Sequence, residues 1–424
     1  MLDIQLIREQ TEYVKNGLKL TGTDPSIIDD MLDADSQRRA LQTEGDELRS
    51  KMNAESKAIG KEKDSEKRQD LIKGMGDLKN KIKNASAKVP EIEKRFEQLM
   101  LSVPNIPLKE VPVGDGESGN IVKEIFGESP EFDFTPKPHW EIMENLGIID
   151  FERGQKISGS RFYVLKGAGA RLQRALITLM LDIHTEKHGY EELYPPVMVR
   201  EECLYGTGNL PKFGENLYRD IEGEHWFVPT AEVPVTNFYR DEILPENALP
   251  IKHVAYTPCF RREKMSHGKD TRGIKRGHQF DKVEIVRFEH PDNSRAALEE
   301  LTEDAREILT ILGLKHRILT IGAGDLSFVS CMKYDLETWA AGTEEWLEVS
   351  SCSLFQDFQA RRAKIRFKDS NGKNQFIHTL NGSGLALPRV VISIIESYQQ
   401  KDGSVIIPEA LRPYMGGLEK ISPK

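Results

Sequence analysis

The sequence predicts an α+β body preceded by an antiparallel helical arm, and three observations carry that prediction. Apolar residues recur at three- and four-residue spacing across residues 27–99, in two series separated by a polar stretch. A Pro/Gly-rich segment, PNIPLKEVPVGDGESGN, follows at 104–120 and marks a boundary. Beyond it, strand-like runs mix with amphipathic helical stretches at 171–188 and 294–312. The expected division is residues 1–104, with the arm at about 27–100, and a body at 105–424. A chain of 424 residues is too long for one ordinary core, so at least two units are expected.

In chain order, IQLIREQTEYVKNGLKL at 4–20 predicts one short helix ending near Gly22, with Asp24-Pro25 as punctuation. The first arm series is Ile27, Met31, Ala34, Leu41, Leu48, Met52 and Ile59, interrupted by Arg38, Gly45 and Glu55. The second runs Leu71, Met75, Leu78, Ile82, Ala85, Val89, Ile92, Phe96 and Leu99, and a polar turn is expected near Lys61–Arg68. Two helices of about 35 residues would each reach roughly 50 Å at 1.5 Å per residue. Pro90 should kink or interrupt the second.

Charge separates the two parts. The whole chain carries −9, which argues against nonspecific nucleic-acid binding by the molecule at large. Residues 49–88 hold twelve basic against six acidic residues, a local balance of +6 that suits an RNA backbone. An ordinary solvated coiled-coil surface explains the same charges equally well. There is no apolar run of the length a membrane span needs, and MLDIQLIREQ contains no signal-peptide core. The scattered Cys203, Cys259, Cys331 and Cys352 suggest neither a zinc ribbon nor a disulfide framework, and a reducing cytoplasm is the simple expectation.

The most informative stretch is TPCFRREKMSHGKDTRGIKRGHQFDKVE at 257–284. Its ends have the β-branched and aromatic residues of two strands, and its middle carries five basic residues from Lys264 to Arg276 without hydrophobic period. A hairpin with arginines on its arms suits a polyanion such as a nucleoside triphosphate, because guanidinium forks grip phosphate or carboxylate in pairs of hydrogen bonds.

Residues 348–362 read EVSSCSLFQDFQARR, and 378–389 read HTLNGSGLALPR before the apolar VVISIIESYQ. With the 257–284 stretch, TAEVP at 230–234 and LMLSVPNIP at 99–107, these segments resemble the bacterial-type seryl-tRNA synthetases, which are class II aminoacyl-tRNA synthetases. The resemblance extends over nearly the whole chain. It implies the class II antiparallel sheet with flanking helices, a homodimer built largely on the helix ending in HGYEELYPPVMV, and an arm that contacts the long variable arm of tRNA(Ser). It further implies activation of L-serine by ATP with Mg²⁺, then transfer to tRNA(Ser), with tRNA(Sec) as an optional second acceptor.

The resemblance also distributes roles. Arg261 would bridge the serine carboxylate and the α-phosphate, and Glu263 would accept from the adenine amino group. Phe280 would stack on one adenine face, with Arg389 on the other and near the γ-phosphate, and Arg276 is a second γ-phosphate candidate. Arg262, Gly277, Val349 and Ser350 complete the expected ATP set, and Glu348 and Ser351 would hold Mg²⁺ as hard oxygen ligands. Thr230, Ala231 and Glu232 would address the serine ammonium, Glu284 the ammonium or hydroxyl, and Asn381 and Ser383 would close the pocket. A strand glutamate such as Glu284 is ordinarily solvent-facing, so without the motif its functional weight would be small.

Other features carry less. Gly167-Ala168-Gly169 lacks the third glycine of a dinucleotide fingerprint, and no GxxxxGK[ST] loop exists. His184, His188 and His267 form no ligand set and are expected to be structural or solvent-facing, and Trp339 and Trp346 to be core or interface. The chain departs from the family pattern at Lys264, Gly277 and Pro388, none of which removes a charged ligand. A catalytically silent RNA-binding paralogue would have lost an arginine or glutamate of this set. A ligase that loads a carrier protein would lack the arm.

Overall fold

The computed structural model describes residues 1–264 and 272–423. The chain divides into two compact units, Met1–Pro104 and Asn105–Lys424.

The first unit is helical. Helices α1 (Ile4–Glu9) and α2 (Thr11–Leu20) replace the single expected helix, because Gln10 leaves helical geometry at φ −128° and ψ 45°. Its break is bridged by the Thr11 hydroxyl, which donates to the Ile7 carbonyl at 2.7 Å. The arm is α3 (Ser26–Lys61) and α4 (Ser65–Ser102). The turn is only three residues long, and Asp64 caps α4 by accepting from the Glu66 and Lys67 amides. Near the arm's base Ile28, Met31, Ala34, Ile92 and Met100 are buried, whereas the outer seam is only half-buried, as two helices alone must leave it. Pro90 does not interrupt α4. Both Pro90 and Ser86, whose carbonyl loses its partner, are exposed, so water can satisfy the freed group.

Among the described residues the second unit is built on one eight-stranded sheet. Its strands are β1 (Ile121–Phe126), β2 (Glu191–Glu192), β3 (Ile251–Phe260), β4 (Gln279–Glu289), β5 (His316–Thr320), β6 (Met332–Ala340), β7 (Glu345–Gln356) and β8 (His378–Ala386). Their spatial order is β1-β5-β6-β7-β8-β4-β3-β2, antiparallel except for the β2–β3 pair. The short helix α5 (His139–Asn145) precedes the long α6 (Ala168–Glu186), and α7 (Glu232–Thr236), α8 (Ser294–Ile311), α9 (Phe358–Ala363) and α10 (Leu387–Ser397) follow. Apolar stripes of α6, α8 and α10, including Leu176, Leu301 and Ile394, form one core with Val283, Ile285, Cys352, Leu354 and Leu380 from the sheet. Burying that face turns the alternate side chains of the central strands to the other side.

Two bulges decide what that other side presents. Between β6 and β7, Leu336 faces Ser350 but Glu337 faces Glu348, so Val349 is an extra residue. In a regular strand Glu348 and Ser351 would point to opposite faces; the extra residue brings both to the same one. Between β8 and β4, Ser383 faces Glu284 and Leu385 faces Val283, so Gly384 is extra. That shift sends Leu385 into the core and Ala386 to the cavity.

Gly167 and Gly169 serve packing rather than phosphate. Gly167 caps α6, and Gly169 lies where an added Cβ would meet the Ile148 carbonyl at 2.5 Å. Trp339 and Trp346 face each other across β6 and β7 with ring centroids 5.4 Å apart, half-buried. His184 is fully buried and bonds His188 at 3.0 Å, a structural pair, while His267 lies outside the described residues.

Candidate active site

A cavity of about 750 Å³ opens over the face of β4, β7 and β8 that is turned away from the helices. Its lining includes Thr230, Glu232, Arg261, Glu263, Arg276, Gly277, Phe280, Glu284, Glu348, Val349, Ser351, Asn381, Ser383 and Arg389. The sequence-predicted residues that line it come from six separate stretches of chain.

One end is a buried carboxylate nest. On β4, residues 280, 282 and 284 share a face, so Phe280, Lys282 and Glu284 enter the cavity together. Glu284 is 1% exposed and accepts from Asn381 Nδ2 at 2.7 Å and Ser383 Oγ at 3.2 Å, both from the neighbouring β8. Lys282 Nζ lies 2.7 Å from Oε2, the oxygen that also accepts from Ser383. Glu232, at the start of α7, receives a 2.6 Å hydrogen bond from Gln359 Nε2. Gln359 is fully buried and is held in turn by the Thr379 hydroxyl at 2.8 Å. Burial, reinforced by the charge of Glu284, pushes the Glu232 carboxyl up to about 7, against the opposing pull of Gln359, Lys282 and Arg261. Thr230 is buried beside it, and its hydroxyl accepts from the Glu232 amide at 3.3 Å.

The other end is rich in arginine and more open. Arg261 follows β3, with its amide bonded to the His278 carbonyl at 2.9 Å and Nε to the Pro229 carbonyl at 3.2 Å. Its guanidinium sits over the Phe280 ring, 5.1 Å from the centroid. Glu263 adopts a left-handed backbone at φ 49°, which costs a non-glycine residue roughly 1 kcal/mol, and its carboxylate lies 3.6 Å from Arg276. Arg389 stands in the first turn of α10, just after Pro388, where a proline fits because no helical N–H is needed. Arg389 Nη1 donates to the Glu348 carbonyl at 2.6 Å and lies 3.8 Å from its carboxylate. Partial burial works against the charge on Glu348, but Arg389, Lys333, Arg261 and Lys282 outweigh it and hold the carboxyl below its ordinary range.

Three predicted residues are not brought into the cavity. Ala231 is fully buried among Val286, Phe288 and Ala360. Arg262 turns to the Tyr218 ring, 5.3 Å away. Ser350, the residue after the bulge, donates on the core side to the Ser383 carbonyl at 2.7 Å. Val349 lines the cavity, yet its side chain belongs to the core. The sequence reading missed Lys282, Gln359 and Asp335. Lys282 could have been found, since it lies two residues before Glu284 on one strand. Gln359 and Asp335 act through partners that no local spacing announces.

The residues around Glu348 fit a hard cation. The bulge puts its carboxylate and the Ser351 hydroxyl on one face, and Asp335 lies directly opposite Ser351 across the ladder. Asp335 is 7% exposed, and its Oδ1 has no hydrogen-bond partner among the described residues. Among the described residues there is no cluster of three or more His, Cys, Asp and Glu that would cage a metal. Few protein ligands suit Mg²⁺, which keeps waters and phosphate oxygens in its shell.

Comparison with known proteins gives the family of the chain. The model for the seryl-tRNA synthetase N-terminal domain matches residues 1–107, and that for the class II tRNA synthetase core domain (G, H, P, S and T) matches 216–398. The chain is 54% identical over 422 residues to the serine–tRNA ligase of Thermomicrobium roseum, covering 99% of this chain and 95% of that protein. It is 53% identical over 424 residues to that of Chloroflexus aurantiacus, with both chains fully covered. Among solved structures, seryl-tRNA synthetase from Pyrococcus horikoshii complexed with ATP superposes with a TM-score of 0.94 at 35% identity, both chains being covered in full. The cytoplasmic serine–tRNA ligase of Naegleria fowleri in complex with AMP gives 0.88 at 32% identity, covering 100% of this chain and 99% of that one. By sequence over its full length and by fold, the chain belongs to the seryl-tRNA synthetase family of class II aminoacyl-tRNA synthetases.

Proposed function

We infer that this chain is a serine–tRNA ligase, and the observation that carries the inference is the polarity of one cavity. A nest of the buried Glu284, Asn381 and Ser383 with the half-buried Glu232 occupies one end, and Arg261, Arg276 and Arg389 occupy the other. An amino acid presents an ammonium to the first and its carboxylate toward the second, where a triphosphate also finds its countercharges.

In the first step the serine carboxylate oxygen attacks the α-phosphorus of ATP, the bond to the β-phosphate oxygen breaks, and pyrophosphate leaves. Arg261 belongs to the arginine end yet is near enough to the nest for its charge to act on Glu232. Its guanidinium orients the carboxylate and offsets the negative charge that builds on the α-phosphoryl oxygens. Arg276 and Arg389 hold the outer phosphates, Phe280 offers a face for the adenine, and Glu263 accepts from its amino group. Glu348 and Ser351, with Asp335 behind them, would hold Mg²⁺, whose chemistry there is charge neutralisation of the phosphates. In the second step a terminal ribose hydroxyl of tRNA attacks the seryl carbonyl and AMP leaves.

Selectivity follows from the nest. Glu284 and Ser383 would each add a hydrogen bond to a small hydroxyl, and alanine would enclose those polar groups without supplying it. The basic outer half of the arm is the surface for tRNA(Ser). The dimeric state, the cytoplasmic setting and acceptance of tRNA(Sec) belong to the same reading, supported by the family. No helix among the described residues is long and apolar enough to cross a membrane.

Serine-dependent ATP–pyrophosphate exchange without tRNA tests the reading, with alanine, threonine and cysteine as controls. Exchange with serine alone is expected. Folded protein that supports no exchange with any amino acid would overturn it in favour of a catalytically silent RNA-binding paralogue.

A further inference from the structure

We propose that the buried pair His139–Glu396 is a positioning device for the arginine end of the cavity, holding three ligand-bearing elements in one mutual register. The proposal rests on the reading of that end as the nucleotide site.

Neither residue lines the cavity, and both are removed from solvent: His139 is 2% exposed and Glu396 0%. Glu396 lies on the last turn of α10, whose first turn carries Arg389. One carboxylate oxygen accepts from the His139 amide and from His139 Nδ1, both at 2.9 Å. The other accepts from the Gly342 amide at 2.8 Å, the Thr343 amide at 3.0 Å and the Thr343 hydroxyl at 3.2 Å. Five donors fill the lone-pair capacity of one carboxylate, and none of them is a lysine or arginine. Such saturation fixes the group's orientation more narrowly than a single ion pair would.

The far side of the imidazole reaches the basic hairpin. His139 Nε2 accepts from the Ile274 amide at 3.3 Å, two residues before Arg276. Only the tautomer with its proton on Nδ1 serves both partners. Gly273 meets the same ring at φ 71°, and a Cβ there would stand 1.9 Å from Nε2, so the limb is pressed onto the imidazole edge. Gly342 is likewise pressed onto the residues before His139, since its Cβ would meet the Lys137 carbonyl at 2.0 Å. The turn at Gly342–Thr343 leads into β7, which bears Glu348 and Ser351, and Lys275 of the limb pairs with Glu345 at the start of that strand.

One hydrogen-bonded pair thus joins the limb of Arg276, the helix of Arg389 and the strand of Glu348. The carboxylate nest has its own support through Gln359 and does not touch the pair. A device of this kind acts on nucleotide binding and leaves serine binding alone, which a merely stabilising pair would not do.

The test measures exchange kinetics for His139→Ala, with His139→Asn as the conservative variant that retains a donor toward Glu396. His139→Ala is expected to raise the KM for ATP about tenfold, to change the KM for serine less than twofold, and to speed hydrogen exchange of the Ile274 amide; His139→Asn should recover part of the ATP effect. If His139→Ala does not fold, His139→Asn and Glu396→Gln carry the same comparison. Equal changes in both KM values, or a lowered melting temperature with both KM values intact, would overturn the proposal. Binding of a non-hydrolysable ATP analogue to wild type and variants, measured without serine, separates this outcome from failure of the ligase reading. Wild type without serine-dependent exchange removes the ligase, whereas unchanged analogue affinity in His139→Ala removes the positioning role.

Discussion

The two ends of the cavity solve the same problem, recognition of charge, by opposite means. The carboxylate end is largely enclosed and held at close range by Asn381, Ser383 and the buried Lys282 on Glu284 and by Gln359 on Glu232. The arginine end is more open, with Arg276 33% and Arg389 21% exposed and Glu348 46% exposed on its side chain. Burial makes each interaction strong and leaves an unpaired polar group costly, so the first end discriminates among small molecules. Exposure lets a large polyanion enter and leave, so the second end gathers charge with less demand on shape. Electrostatics follow the same division. The half-buried Glu232 is pushed up to about 7, and the exposed Glu348 is held down by surrounding cations.

Breaking the bridge between the ends should have the largest effect. Arg261→Ala removes the group shared by both substrates, and pyrophosphate exchange is expected to fall about 10³-fold in kcat/KM, roughly 4 kcal/mol of transition-state stabilisation. Arg261→Lys should recover little, because a point charge does not reproduce the fork. A result within tenfold of wild type would place the bridge elsewhere.

At the carboxylate end, Glu284→Gln keeps the shape and removes the charge. Its kcat/KM for serine should fall about a hundredfold while the KM for ATP stays within twofold, and discrimination against alanine should narrow. Parallel loss in both substrates would mean the two ends are not separable.

At the arginine end, Arg276→Ala should raise the KM for ATP about tenfold, and added salt should weaken ATP binding further, as screening of an open site requires. Serine kinetics should not respond.

The pH profile sharpens the contrast further. Glu232 is protonated below about 7 in the free protein, and a neutral carboxyl cannot hold an ammonium. The KM for serine should therefore rise as pH falls through 7, by up to tenfold per unit, and Glu232→Gln should flatten that rise. The KM for ATP should lack this inflection.

The smallest effect on activation is expected from the arm. Reversing the exposed Lys79, Lys81 and Lys83 to glutamate should leave exchange unchanged while raising the KM for tRNA in aminoacylation about tenfold. Altered exchange would mean that the arm takes part in activation.

How much of this was legible beforehand depends on the range of the signal. The arm's two helices follow from heptad spacing, which is a local property, and so do the strands on either side of the basic hairpin. Local reading still failed at Gln10, where one helix became two, and at Pro90 the structure shows no interruption of α4, since the carbonyl it frees is open to water. In the site, the motif residues Arg261, Glu284 and Arg389 line the cavity, whereas the side chains of Ala231, Arg262 and Ser350 turn to the core or to Tyr218, a placement that residue identity does not reveal.

The sequence by itself therefore determined the family, the helical arm and the chemical inventory of the cavity, since each is written in neighbouring residues. Only the tertiary structure decided which members of that inventory face one another. The extra residue at Val349 turns Glu348 and Ser351 to a common side, Gln359 supports Glu232 from 127 positions away, and His139 meets Glu396 across 257. A bulge is defined by the partner strand, and a buried hydrogen bond by whatever the fold brings opposite it. Neither leaves a periodic trace in the chain that contains it.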